Sequence, residues 1–295
     1  MYRAKARRSG VARYDAAMSS GLAERLSLAR DLAEALNVET DGELQLHYQP
    51  QVDMRNGALT GAEALLRWRH PQLGPLSPVA FLPLAEERGM MQAVGAWVIR
   101  QACRQLEQWR AAGLEFAGRL AINVAAQELD NERFFEDTVA CVEDFGLTPS
   151  MIELELTESG IMQNVETSIE TFRRLENAGF SIALDDFGAG YSSLAQLTRL
   201  PVGKLKIDRA FVRDMTESEQ GRAITATIVA MSQTLGMQAI AEGVETDAQR
   251  AALLQLGCVH GQGYLFGRPE PAAVFAESWL SAEVKPGSKP PSPRD

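Results

Sequence analysis

From Leu44 onward the chain alternates between short apolar runs of strand character and longer segments in which apolar residues return at helical spacing. The strand-like runs are Leu44 to Asp53, Leu59 to Arg69, Arg119 to Val124, Ile152 to Thr157, Phe180 to Asp186, Lys204 to Asp208, Gln238 to Glu242 and Val259 to Leu265. That is about eight, the number that closes a parallel barrel. Helical patterns fall between them at Ala93 to Ala111, Asn131 to Phe145, Val165 to Ala178, Glu217 to Leu235 and Asp247 to Leu256. Several stop at a glycine just before the next strand, as at Gly113, Gly146, Gly179, Gly236 and Gly257, which is how a helix commonly ends. Only the turn at Arg55 to Gly57 separates the first two strands, and so short a connection demands antiparallel pairing. The pattern therefore predicts an α/β fold, a TIM-like (β/α)8 barrel with one antiparallel strand. Upstream, Leu22, Leu26, Ala29, Ala33 and Leu36 share one face of an amphipathic helix.

Length and charge narrow the choice. A chain of 295 residues, 45% hydrophobic, can bury a barrel-sized core. Its net charge of -10 argues against a broad basic surface for nucleic acid, while a small phosphate ligand held through metal stays compatible. Cys103, Cys141 and Cys258 are odd in number and widely spaced, which speaks against a disulfide framework or a zinc-thiolate site and for a reducing, cytoplasmic setting. Met1 to Tyr14 is basic but lacks the apolar stretch of a signal peptide, and Ala223 to Ala241 is broken by Thr225, Ser232, Gln233 and Gly236, so no membrane span is expected.

Acids and amides recur where the apolar runs end: Glu63, Asn123, Glu155, the pair Asp185 and Asp186, and Glu242, with Lys206 and Gln262 in similar positions. Each has an ordinary explanation alone. A strand glutamate is often an edge residue, Asn123 a turn residue, adjacent aspartates a solvated loop and Lys206 a surface lysine. Together they occupy the end of the strands at which barrel active sites are built. Gathered carboxylates repel and lose hydration, so the recurrence suggests a hard cation. In Ile152 to Glu158 the acids Glu153 and Glu155 share one strand face, and an acid facing the barrel interior needs a cation or a hydrogen-bond partner.

These segments resemble a known family. Glu63-Ala64-Leu65 is the signature that names the EAL domain, the phosphodiesterase of cyclic di-GMP. With it come Tyr48-Gln49-Pro50, Glu155-Leu156-Thr157-Glu158, Asp185-Asp186-Phe187-Gly188, Lys206-Ile207-Asp208, Glu242-Gly243-Val244-Glu245 and Gln262-Gly263-Tyr264, in the family's order over roughly Glu43 to Ser278. Met1 to Ala6 and Val11 to Asp15 resemble the end of a GGDEF domain, the diguanylate cyclase module, whose own motif is absent. With the upstream helical pattern and a Pro-, Ser- and Lys-rich end, the resemblance divides the chain into a GGDEF remnant (1–18), a connector helix (19–40), the barrel (41–282) and a disordered tail (283–295).

The resemblance further implies that Glu63, Asn123, Glu155 and Asp185 hold a first metal, and that Asp185, Asp186 and Glu242 hold or orient a second, the ions being Mg²⁺ or Mn²⁺. A water between them would attack phosphorus in line and yield linear pGpG. Lys206 would hold that water or the phosphate oxygens. Glu158 would anchor the loop after the paired aspartates, and Gln49, Leu65, Arg67 and Gln262 would contact the nucleotide. A homodimer and an N-terminal cyclase partner domain belong to the same expectation. Two residues depart from the family's habit, Ala125 in place of serine and Ala189 in place of threonine. The rival is a receptor that binds cyclic di-GMP without cleaving it; such domains typically lack metal ligands, and here the set is complete. A third reading is a regulatory domain that signals through its connector helix.

Overall fold

The structure, a computed structural model, describes residues 16–37, 42–161, 165–188 and 197–280. The expected GGDEF remnant up to Asp15, Ala189 and the expected tail lie outside them. The described residues form two compact units, one falling within 1–44 and 68–90, the other within 45–67 and 91–295.

In the smaller unit, helix α1 (Ala16–Asn37) packs against α2 (Pro78–Glu87), and Arg25 bridges to Glu87 at 2.8 Å. Proline opens α2 at its first turn, where no backbone donor is lost, and Pro83 lies inside it. The buried stripe of α1 runs through Ala29, Leu32 and Ala35, whereas Leu26 is 45% exposed. Ala29 is common to the expected stripe, while beyond it Leu32 and Ala35 are buried in place of Ala33 and Leu36, which are half-buried one position further on. Trp68 meets the Phe81 ring edge-on at 5.3 Å, and Asp31 pairs with His70 at 3.3 Å.

The larger unit is the barrel. Its strands are β1 (Leu44–Asp53), β2 (Ala58–His70, which continues into the smaller unit and pairs there with β3, Gly74–Leu76), β4 (Arg119–Asn123), β5 (Ile152–Thr157), β6 (Ser181–Phe187), β7 (Lys204–Ile207), β8 (Gln238–Ala241) and β9 (His260–Gln262). Strands β2, β4, β5, β6, β7, β8 and β9 run parallel in that order, and β1 closes the ring by pairing antiparallel with β9 and also with β2. The closed eight-stranded barrel with one reversed strand is therefore present. A two-residue strand β10 (Glu270–Pro271) adds to the outer part of β1.

Alternation along the strands divides the residues between two environments. On β7, Leu205 and Ile207 face outward into a cluster with Val212, Met215, Ile228 and Val229, while Lys204 and Lys206 face the barrel axis. The outer residues are covered by α8 (Arg209–Glu217) and α9 (Glu219–Thr234). The sequence pattern predicted only one helix over this region. That helix, Glu217 to Leu235, is α9; α8 precedes it unpredicted, and Ser218 separates the two with an extended backbone and a hydroxyl that caps α9 through the Gly221 amide at 3.0 Å. The last barrel strand is shorter than expected, since its ladder ends at Gln262 before Gly263 turns away.

Candidate active site

Side chains from alternate barrel strands meet in one layer on the axis: Glu63 of β2, Glu155 of β5, Lys206 of β7 and Gln262 of β9, each no more than 5% exposed. Lys206 is the centre. Its ammonium lies 2.5 Å from Glu155, 2.7 Å from Glu242, 3.2 Å from Asp185 and 3.6 Å from Glu63. The surface-lysine reading is overturned, for Lys206 is 1% exposed.

The acids around it are not equivalent. Burial raises Glu63, but the Lys206 charge and hydrogen bonds from Gln262 (2.5 Å) and Asn123 (2.6 Å) outweigh it and hold the carboxyl below its ordinary value. Burial drives Glu155 well above its ordinary value; Lys206 opposes the shift, and Glu63, Asp185 and Glu153 add to it. Glu242 is pushed to about 8, mainly by burial and against Lys206. Burial would pull Lys206 down, yet the surrounding carboxylates hold its ammonium well above the ordinary lysine value.

Asp185 and Asp186 are adjacent, and in a regular strand they would point to opposite faces. Between β6 and β7 the register slips: Leu184 pairs with Leu205 but Phe187 with Ile207, so both aspartates stand opposite Lys206 alone. Asp186 takes φ +53°, a left-handed backbone that aspartate tolerates better than most residues. The bulge brings carboxylate oxygens of Asp185, Asp186 and Glu242 within 4.8 Å of one another. Asp186 rises to about 6 through burial and the neighbouring Asp185 and Asp208 charges.

Glu158, first residue of the short helix α6 (Glu158–Ile161), is 3% exposed and accepts the Gly188 amide at 2.9 Å. Gly188 itself has φ +96°, and a Cβ there would lie 2.7 Å from the Phe211 ring, so only glycine fits.

Gln262 also donates to Gln49 at 3.1 Å, and Gln49 donates to the Gly267 carbonyl at 3.0 Å. Leu65 and Arg67 are half-buried further along β2; the Arg67 guanidinium bonds the Leu66 carbonyl at 2.8 Å and feels the Glu63 charge. Nearby on the chain, Tyr264 is 49% exposed with the Arg268 guanidinium 4.2 Å over its ring. Tyr264 closes the Gln262-Gly263-Tyr264 motif yet has no role predicted for it, because one exposed aromatic in a glycine-bounded turn carries no chemical signal in sequence.

An all-oxygen set suits a hard divalent cation. One further observation fits: Glu155 Oε1 is buried with no hydrogen-bond partner among the described residues, an arrangement that costs free energy unless a cation completes it.

The model of the EAL domain family matches residues 29–269, and the chain belongs to that family. Among curated relatives, it is 41% identical over 279 residues to the bifunctional diguanylate cyclase/cyclic di-GMP phosphodiesterase MucR of Pseudomonas aeruginosa, covering 94% of this chain and 40% of that protein. It is 42% identical over 254 residues to the cyclic di-GMP phosphodiesterase NbdA of the same organism, covering 86% of this chain and 32% of that protein. The chain thus spans less than half the length of these relatives. A solved structure of the PaMucR phosphodiesterase in complex with c-di-GMP superposes with a TM-score of 0.79 at 42% identity, covering 84% of this chain and 99% of that one.

Proposed function

We propose that this chain is a divalent-cation-dependent phosphodiesterase that opens cyclic di-GMP to linear 5′-pGpG. The observation that carries the reading is the gathering of Glu63, Glu155, Asp185, Asp186 and Glu242 around one buried lysine at the strand ends. The phosphodiesterase activity for which MucR and NbdA are named supports the choice of substrate.

Glu63, Asn123, Glu155 and Asp185 are assigned to one Mg²⁺ or Mn²⁺ ion, and Asp185, Asp186 and Glu242 to a second. Such ions, when bound, polarise phosphoryl oxygens and lower the pKa of a ligated water. The protein supplies the rest. Lys206 keeps its proton because acids surround it, so it presents a fixed positive charge to a phosphate oxygen or to the attacking water. Burial of the layer excludes bulk solvent and strengthens that charge. Glu158 ties down the loop that follows Asp186 through the Gly188 amide. Gln49, Leu65, Arg67 and Gln262 are assigned to the nucleotide, with Arg67 offering a guanidinium to phosphate or base edges. In the net reaction water adds to one phosphorus, the bond to the 3′ oxygen breaks, and that oxygen leaves with a proton.

The reading extends to a homodimer, to a cyclase-type module upstream such as the name of MucR describes, and to a cytoplasmic setting, which the three free cysteines support. Among the described residues no helix is long and apolar enough to cross a membrane. The test is incubation with cyclic di-GMP and Mg²⁺ or Mn²⁺, followed by product chromatography, with Glu63→Ala as control. A pGpG peak that needs metal and Glu63 is expected. Intact substrate under both metals would refute the proposal.

A further inference from the structure

Beneath the acidic layer lies a second polar layer that the proposed reaction does not touch. Lys204 of β7 bonds Glu153 of β5 at 2.6 Å, and Ser181 donates to the other Glu153 oxygen at 3.1 Å. The remaining reach of the Lys204 ammonium is to Gln51 Oε1 on β1 at 3.3 Å. Gln51 stands directly opposite Gln262 in the β1–β9 ladder and donates from Nε2 to Gln262 Oε1 at 3.1 Å. Gln262 then donates to Glu63 Oε2. The room for Gln51 comes from Gly61, where a Cβ would approach Gln51 Oε1 to 3.2 Å and the Arg119 carbonyl to 2.7 Å.

The direction of this chain of bonds is set at both ends: above, the Glu63 carboxylate and the Gln49 side-chain oxygen accept from Gln262, and below, the Lys204 ammonium donates to Gln51. An ammonium only donates, so it selects the carbonyl end of the Gln51 amide. That leaves the Gln51 NH₂ for Gln262, which in turn leaves the Gln262 NH₂ for Glu63. Reversing Gln51 would set its NH₂ against the ammonium and offer its carbonyl to Gln262. Gln262 would then reverse as well and present an oxygen to the Glu63 carboxylate. Both reversals replace attraction by repulsion in a buried setting, where such errors are most costly.

We propose that Lys204 is a positioning residue, which acts through the amides of Gln51 and Gln262 to aim an N–H at Glu63 from outside the assigned metal and substrate contacts. The inference rests on the phosphodiesterase reading for its effect on turnover, and on the hydrogen-bond chain alone for its effect on Gln262.

Two perturbations test it. Gln51→Met removes the relay but leaves the Lys204–Glu153 pair intact and roughly conserves volume. Lys204→Met with Glu153→Gln removes the charge that sets the direction from below while leaving no buried charge unpaired. Each is expected to lower kcat for cyclic di-GMP about tenfold with KM little changed, on the scale of losing a residue that orients a metal ligand. Their combination should be no worse than either alone, because both cut one chain. The side-chain amide ¹H–¹⁵N resonances of Gln262, assigned through Gln262→Glu, should move in both variants. A wild-type kcat and an unmoved Gln262 resonance in Gln51→Met would overturn the proposal, as would kcat losses that multiply in the combined variant. If the double variant does not fold, Gln51→Met still decides through those two readouts. If the wild type fails to cleave cyclic di-GMP, the phosphodiesterase reading falls, and the Gln262 resonance alone decides the positioning.

Discussion

Replacing Lys206 by methionine keeps most of the stem volume and deletes the charge, and it bears on stability and chemistry together. Each carboxylate within 4 Å of the ammonium attracts it by about 5–7 kcal/mol at an effective dielectric of about 20. The four attractions do not add to a stability, because the acids repel one another and all the groups have lost water. Removing one member of a buried ionic group costs about 3–5 kcal/mol. For a domain of this size that lowers Tm by about 6–20 °C in chelator. Divalent metal binds the acids left behind, so Mg²⁺ should restore part of the loss, by an amount that grows with its concentration. Turnover should not return. The fixed charge at the reacting phosphate is gone, and a loss of about 10²–10³ in kcat is expected, with substrate binding retained. Thermal melts in chelator and in Mg²⁺, paired with kcat and KM for cyclic di-GMP, read both effects. A variant with normal kcat, or one that loses binding and turnover equally, would refute the role assigned to Lys206.

Glu158→Ala should weaken metal affinity and turnover together, by about 10–100-fold, because the Gly188 amide loses the acceptor that holds the loop beside Asp186; normal metal titration and turnover would contradict this. Ca²⁺ should inhibit in competition with Mg²⁺, since it is larger and tolerates irregular coordination where paired compact ions are required, and undiminished turnover in saturating Ca²⁺ would count against the two-ion assignment. Glu128, buried while accepting the Ala125 amide at 2.7 Å, is pushed to about 8 by desolvation. Its folded value lies above its unfolded one, so its contribution is full below about 4.5 and is lost as pH rises through about 8. Glu128→Gln keeps the acceptor and removes the titration, so between those limits it should gain on the wild type as pH rises, by about 1.4 kcal/mol for each pH unit crossed. Parallel Tm–pH curves for the two proteins would rule that out.

The strand order was legible because each strand ends in a residue that breaks the apolar run, and the reversed strand because Arg55 to Gly57 leaves no room for a crossover. Helix α2 was not, since it holds two prolines, a residue that usually interrupts a helix, although the first sits where proline is tolerated. Period-two alternation puts Lys204 with Lys206 and Glu153 with Glu155 on shared faces. It could not pair them, because partners two strands apart meet only when the barrel closes. The bulge was equally hidden: adjacent aspartates at a strand end look the same as a solvated loop, and only the register slip and the left-handed Asp186 set both opposite Lys206. The amide chain joins Gln51 to Gln262, 211 positions apart, through a ladder that exists only in the closed ring.

A barrel axis filled by Glu153, Lys204, Glu155 and Lys206 in place of branched aliphatic residues changes how this domain responds to heat. Unfolding exposes charged as well as apolar surface, and polar exposure subtracts from the heat-capacity change that bends a stability curve. The hydration that these ions forgo is also less favourable at higher temperature, so their burial grows cheaper as the solution warms. The axis thus flattens the dependence of stability on temperature, and the aliphatic shell under the helices carries most of its curvature.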